Sequence, residues 1–144
     1  MKTYSSVKNY HFSADKSRLD IQVIHGFIKN SYWAKDRPLK IMKKAIENSY
    51  CFGVYYKKSQ VGFARVITDT VTFAYIADVF ILEEHRGKGL SVLLMKYLLD
   101  YGKFKSIRKW YLATKDAHKL YEKFGFETLK DPKKFMEMSV KIKN

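Results

Sequence analysis

The order of elements in this 144-residue chain predicts an α+β (α/β) fold: a mixed, mostly antiparallel central sheet flanked by helices. Three observations carry that prediction. Three β-rich runs follow one another over residues 50–82 with only short turns between them, which reads as a meander. Helical periodicity stands on both sides of the meander. A single helical pattern then separates residue 82 from the next apolar run at 110, a crossover long enough to make those two strands parallel.

Taken in order, a short strand is expected at 10–13. Asp15 or Ser17 is placed to cap a first helix, in which Leu19, Val23, Ile24, Phe27 and Ile28 recur at helical spacing. The polar stretch 30–38 reads as a loop, and Pro38 suits the first turn of a second helix through Leu39, Ile41, Met42, Ala45 and Ile46, ending near Asn48. Strands follow at 50–56, 60–68 and 72–82, the last interrupted only by Asp78. Leu90, Leu93, Leu94, Tyr97 and Leu98 form the buried stripe of a third helix. A short strand at 110–113, a short helix at 116–124 stopped by Gly125, and a final strand at 135–142 complete the pattern. The length suits a single domain over 1–144.

Composition narrows the function classes. Hydrophobic residues make up 47% of the chain, enough for a packed core. Lys and Arg number 28 against 14 Asp and Glu, a formal charge of 28 − 14 = +14. That balance suits nucleic acid, an anionic membrane or a phosphorylated ligand, or is simply a solvated basic surface. The basic residues are scattered, and the aromatics fall on apolar strand positions instead of among them, which argues against nucleic acid. One cysteine, Cys51, leaves no internal disulfide, and His11, His25, His85 and His118 show no zinc spacing, so no metal is expected. No segment approaches the ~20 apolar residues of a membrane span, and the N-terminus has no signal-peptide core, so a cytoplasmic protein without a membrane partner is expected.

Two segments carry chemistry. The first is Arg86-Gly87-Lys88-Gly89-Leu90-Ser91, between a long strand and an amphipathic helix. Closely spaced glycines at a helix N-terminus let backbone amides approach an anion that the helix dipole favours; a tight turn into a helix explains the pair equally well. It is neither a Walker loop nor the three-glycine dinucleotide fingerprint. The second segment is Asp116-Ala117-His118-Lys119-Leu120-Tyr121-Glu122-Lys123-Phe124-Gly125-Phe126.

Together these segments resemble the GNAT N-acetyltransferases. The family's loop pattern is met by Arg86, Gly89 and Ser91, the last standing where Gly or Ala is usual. Its later Ala-x-x-Leu-Tyr-x-Lys-x-Gly-Phe helix is met by Ala117, Leu120, Tyr121, Lys123, Gly125 and Phe126. Thr114 lies where many members carry Asn. The resemblance implies the acyl-CoA N-acyltransferase fold with a splayed strand pair, and direct transfer of an acetyl group from acetyl-CoA to a primary amine. It places the pantetheine arm along Val79, Phe80 and Ile81, the pyrophosphate on the amides of Arg86, Gly87, Lys88, Gly89, Leu90 and Ser91, and a further cofactor contact at Thr114. Tyr121 becomes the acid for the leaving thiolate and a cofactor contact, a phenol with an ordinary pKa of about 10 being protonated at neutral pH; packing on its helix is the alternative.

Asp78 is the candidate base, because a lone carboxylate in an apolar strand is unusual and burial would raise its pKa; a structural carboxylate is the equal alternative. Tyr32 and Trp33, in the connection of the first two helices, are expected to line the acceptor site, or Trp33 to cap the core. Lys35, Arg37, Lys40 and Lys43 would suit an acidic acceptor. Outside catalysis, the same fold would serve as an acyl-CoA-sensing module. Neither the acceptor nor the oligomeric state is encoded in a recognisable motif.

Overall fold

The computed structural model describes residues 7–141, which fall into two compact units, one ending at Thr114 and the other beginning at Lys115. In the first unit, β1 (Tyr10–Ser13), β2 (Tyr50–Tyr56), β3 (Ser59–Thr68), β4 (Ala74–Ile81) and β5 (Trp110–Leu112) form one sheet in that order. The first three pairings are antiparallel and the last is parallel, so the mixed sheet expected from the sequence is what forms. The parallel step follows from the crossover through α3 (Leu90–Leu99), which returns the chain to the same end of the sheet.

Two helices cover one face. In α1 (Ile21–Ile28) the cap is Asp20, whose carboxylate accepts from the N–H groups of Gln22 and Val23. The expected caps serve a separate feature: Asp15 accepts from the Ser17 N–H and closes a 3-10 turn at Lys16–Arg18. Such caps are worth about 1 kcal/mol each, so the chain uses both acids. Pro38 stands at the cap of α2 (Leu39–Glu47), one position earlier than expected. Ile24, Ile28 and Met42 from these helices are fully buried with Cys51, Phe63 and Phe80 of the sheet. Phe52, whose side chain points opposite to that of Cys51, meets Tyr97 of α3 at 6.0 Å, so α3 covers the other face. The buried stripe of α3 is Leu90, Leu94, Met95 and Leu98; Met95 is inside, while Leu93 and Tyr97 are half-buried at its margins.

β4 contains an irregularity that the strand pattern did not reveal. Phe63 pairs with Phe80 and Arg65 with Ala77, so Ala64 alone faces both Asp78 and Val79. This is a β-bulge, and Asp78 takes a left-handed backbone at φ 55°. Asp is among the few non-glycine residues that accept that conformation. The extra residue shifts the phase of the strand. Phe63 and Arg65 are two apart and share a face, so their partners Phe80 and Ala77, three apart, share it too.

The second unit contains α4 (His118–Glu122), closed by Gly125 at φ 93°, and a 3-10 turn at Pro132–Lys134. The final strand expected at 135–142 does not form over the described part, 135–141. A strand needs a partner to bond, and alternation alone supplies none. Among the described residues no helix is long and apolar enough to cross a membrane.

Candidate active site

The site is built where β4 leaves β5. Only Ala74, Tyr75 and Ile76 pair with β5, opposite Trp110, Tyr111 and Leu112. From Ala77 to Ile81 the strand runs on with no strand partner on that side among the described residues while staying paired to β3 on the other. Val79, Phe80 and Ile81 therefore lie along a splayed edge, where the main-chain groups of Ile81 turn away from β3 and those of Phe80 toward it. Phe80 is anchored from behind by Phe27, stacked at 4.2 Å with 10° between the rings.

At the end of β4 a 3-10 turn, Glu83–His85, leads into the glycine loop. Gly87 and Gly89 both take left-handed backbones, at φ 80° and 78°, and a Cβ added at either would meet nothing within 4 Å. The glycines are thus required by conformation, and they leave open space above the loop. Gly89 is the N-cap of α3 without any side-chain capping bond. The first intrahelical bond runs from the Leu93 N–H to the Gly89 carbonyl, so the amides of Leu90, Ser91 and Val92 precede the ladder. They open on a concavity of about 120 Å³ lined by Ile81, Arg86, Gly87, Gly89, Leu90 and Ser91, among others. Uncapped amides, a helix dipole and absent side chains make a seat for an anion. Lys88 is exposed above it.

The Arg86 side chain turns back toward the strand. Its Nε donates to the Ile81 carbonyl at 2.9 Å, so the side chain folds back to close the end of β4. That bond occupies the Ile81 carbonyl, whereas Phe80, opposite Phe63 and two residues before the Leu82 N–H that bonds the Val61 carbonyl, turns its main-chain groups to β3.

On the helical face Asp78 lies buried at the centre of a four-residue cluster. Trp33 Nε1 donates to Asp78 Oδ1 at 2.8 Å, and Arg37 and Arg65 each donate to Oδ2 at 2.8 Å. Arg65 also donates to Ser49 Oγ at 3.1 Å. Burial pushes the Asp78 carboxyl up, but the charge and hydrogen bond of Arg65, the bond from Trp33 and the charge of Arg37 outweigh it, and the pKa ends below the ordinary value. The rise expected from burial is therefore reversed. A carboxylate with both oxygens occupied and a lowered pKa is a weak proton acceptor.

Arg37 likewise belongs to Asp78 and not to a free basic surface. The cluster was half legible: Arg65, like Asp78, is a lone charge on an apolar strand, and two opposite lone charges on neighbouring strands are a readable signal. Which partners they choose depends on the bulge.

The cluster holds the connection between α1 and α2 against β4. His25 Nε2 reaches the Arg37 carbonyl at 2.7 Å, and the Asp36 N–H donates to the Lys29 carbonyl at 2.8 Å. Trp33 packs 6.4 Å from Phe27 and edge-on to Tyr32 at 5.2 Å. Trp33 leans on the core and remains 41% exposed, with Tyr32 at 60%. Thr114 follows β5 in the first unit. Tyr121 lies on α4 in the second, its ring edge-on to Phe126 at 6.0 Å. Among the described residues no group of three His, Cys, Asp or Glu is placed to hold a metal ion.

Comparison with known proteins agrees with this geometry. The acetyltransferase (GNAT) family model matches residues 21–126. A Gibberella zeae protein that carries an acetyltransferase name is 32% identical over 136 residues, covering 80% of this chain and 77% of that protein. The crystal structure of a GNAT-family protein from Xanthomonas campestris pv. campestris is 44% identical, with a TM-score of 0.90 over 94% of this chain and 96% of that one. An acetyltransferase-fold protein from Clostridium acetobutylicum, solved with acetyl-CoA, shares the fold at a TM-score of 0.65 and 16% identity, over 91% of this chain and 95% of that one. From the splayed β4, the uncapped glycine loop and a family match over most of its length, the chain belongs to the GNAT family of acetyltransferases.

Proposed function

We propose that this protein is a single-domain N-acetyltransferase that moves the acetyl group of acetyl-CoA to a primary amine by direct attack. The observation that carries the reading is the uncapped N-terminus of α3, opened by two left-handed glycines next to the splayed end of β4. The residues fit the donor in kind: anion-binding amides at Leu90, Ser91 and Val92, and main-chain groups at Val79 and Ile81 for an amide-bearing arm. Acetyl-CoA supplies a thioester whose C–S bond breaks as the C–N bond to the amine forms.

The chain's own contributions are orientation and proton management. The main chain at Val79 and the Ile81 N–H polarise the carbonyl by hydrogen bonding. Tyr121 is the proposed acid for the thiolate, and Thr114 a further cofactor contact, both by their places in the family motif. Asp78 acts as a positioning residue: it holds Trp33 and Arg37 so that the α1–α2 connection, with Tyr32 at its tip, forms the acceptor wall. The amine proton then leaves through water. Lys88 adds positive charge above the phosphate seat.

The direct test is a panel of amines assayed for acetyl-CoA-dependent thiol release, run with Gly89→Val as control. A β-branched residue at φ 78° is strained and covers the loop's amides, so acetyl-CoA affinity should drop on the order of tenfold or more. Unaltered binding by Gly89→Val would remove this loop from the proposal.

A further inference from the structure

His85 ends the 3-10 turn that joins β4 to the glycine loop, and it lines the concavity at the start of α3. Its ring does not stay with β4. Nδ1 is hydrogen-bonded to the Tyr10 hydroxyl at 2.5 Å, a contact between residues 75 apart in the chain. Sheet order places β2 and β3 between β4 and β1, so this bond belongs to no ladder and instead spans one end of the sheet.

The imidazole has a built seat there. Tyr10 and Tyr56 pair across β1 and β2 with ring centres 4.9 Å apart. His85 stands edge-on to Tyr10 at 5.6 Å and tilted on Tyr56 at 5.4 Å. Tyr10 is 5% exposed, and the Lys57 N–H donates to the Asn9 carbonyl at 2.9 Å, which ties β1 to β2 at the same end.

The segment that His85 steadies is open to water. Arg86, Gly87, Lys88 and Gly89 are all exposed, and glycine loses more conformational entropy on ordering than any other residue. A loop fixed before its ligand arrives leaves less of that entropy to be lost on binding. Arg86 ties the loop to its own strand through the Ile81 carbonyl, and His85 ties it to the strand at the far edge of the sheet.

We infer that Tyr10 and His85 are a positioning pair for the donor. The bond between them holds the amides at the start of α3 in place for the phosphates, and so sets affinity for the phosphate-bearing half of acetyl-CoA. This role rests on acetyl-CoA being the donor.

Two ligands separate the halves: acetyl-CoA, and S-acetylpantetheine, which lacks the pyrophosphate and the nucleotide. Their binding is measured by calorimetry, with NMR titration for the weaker one, on the full chain and on Tyr10→Phe, His85→Phe and His85→Asn. The two Phe variants keep a ring and lose the bond. Each should weaken acetyl-CoA by about three- to tenfold, the worth of one net hydrogen bond. Both cut the same bond, so the double variant should bind no more weakly than either single one. S-acetylpantetheine should bind to all of them alike. Asn keeps an acceptor near the place of Nδ1 and gives up the ring, so His85→Asn should bind acetyl-CoA more tightly than His85→Phe.

The reverse order of those two variants would make His85 a packing residue and overturn the pairing. Additive losses in the double variant, equal losses for both ligands, or parent-like affinity in Tyr10→Phe would overturn it too. The unaltered protein gives a reading that needs no variant to fold: the ring-nitrogen resonances of His85 should shift with acetyl-CoA and not with S-acetylpantetheine. Resonances that respond to both ligands, or to neither, would count against the pair. Failure of the unaltered chain to bind acetyl-CoA at all would remove the donor reading, and this role with it.

Discussion

Asp78→Asn separates a positioning carboxylate from a catalytic base, and its cost can be worked from the cluster. Asn keeps an oxygen for Trp33 but sets an amide nitrogen where Oδ2 accepts from Arg37 and Arg65. Two charge-assisted bonds are lost and a buried pair is broken, a class of change that costs about 3–5 kcal/mol. Relief is uneven. The Asp78 side chain is 1% exposed and that of Arg65 11%, whereas Arg37 is 21% exposed and can turn to water. Arg65 also retains Ser49. The low end, about 3 kcal/mol, is therefore expected. At roughly 2–4 °C per kcal/mol for a chain near this size, the melting temperature should fall by about 6–12 °C.

Because the folded-state pKa of Asp78 is lowered, its stabilisation is present above the unfolded carboxylate value and is lost as pH falls through the folded one. The melting gap between parent and variant should hold at neutral pH and close only below about pH 3.9. Urea melts across that range give the stability term, and a pH–rate profile on the same preparations gives the catalytic one. The positioning role predicts lower turnover with the shape of the profile kept. A loss under about 1 kcal/mol would refute the energetic argument. A profile that loses its low-pH limb in a well-folded variant would restore Asp78 as the base.

Two further predictions concern single side chains. Tyr121→Phe removes one hydroxyl and leaves the ring against Phe126, so turnover should fall on the order of a hundredfold with acetyl-CoA affinity and melting temperature little changed. Full activity in that variant would dismiss the acid role. Burial pushes the Cys51 thiol up to about 11, so a disulfide reagent should leave the folded protein unmodified at mildly alkaline pH and react only on unfolding. Rapid labelling of the native protein would show that this side of the core opens readily.

Much of the architecture was written locally. The strand at 50–56 has the bounds predicted for it, because β-branched and aromatic residues end there at a Lys-Lys turn. The parallel step from β4 to β5 follows from one intervening helix, and the glycine loop is legible because only glycine accepts its backbone without strain. Long-range contacts decided the rest. The bulge at Asp78 arises from registry with β3, so neither the phase shift that brings Phe80 beside Phe27 nor the choice of Trp33, Arg37 and Arg65 as partners can be read along the chain. The pKa of Asp78 turned on the same point, since burial is foreseeable from an apolar strand whereas two guanidinium groups converging from residues 37 and 65 are not. The segment 135–141 teaches this from the opposite direction: its alternation is plain in the sequence, but a strand exists only where another backbone answers its hydrogen bonds, and that partner is a property of the tertiary fold.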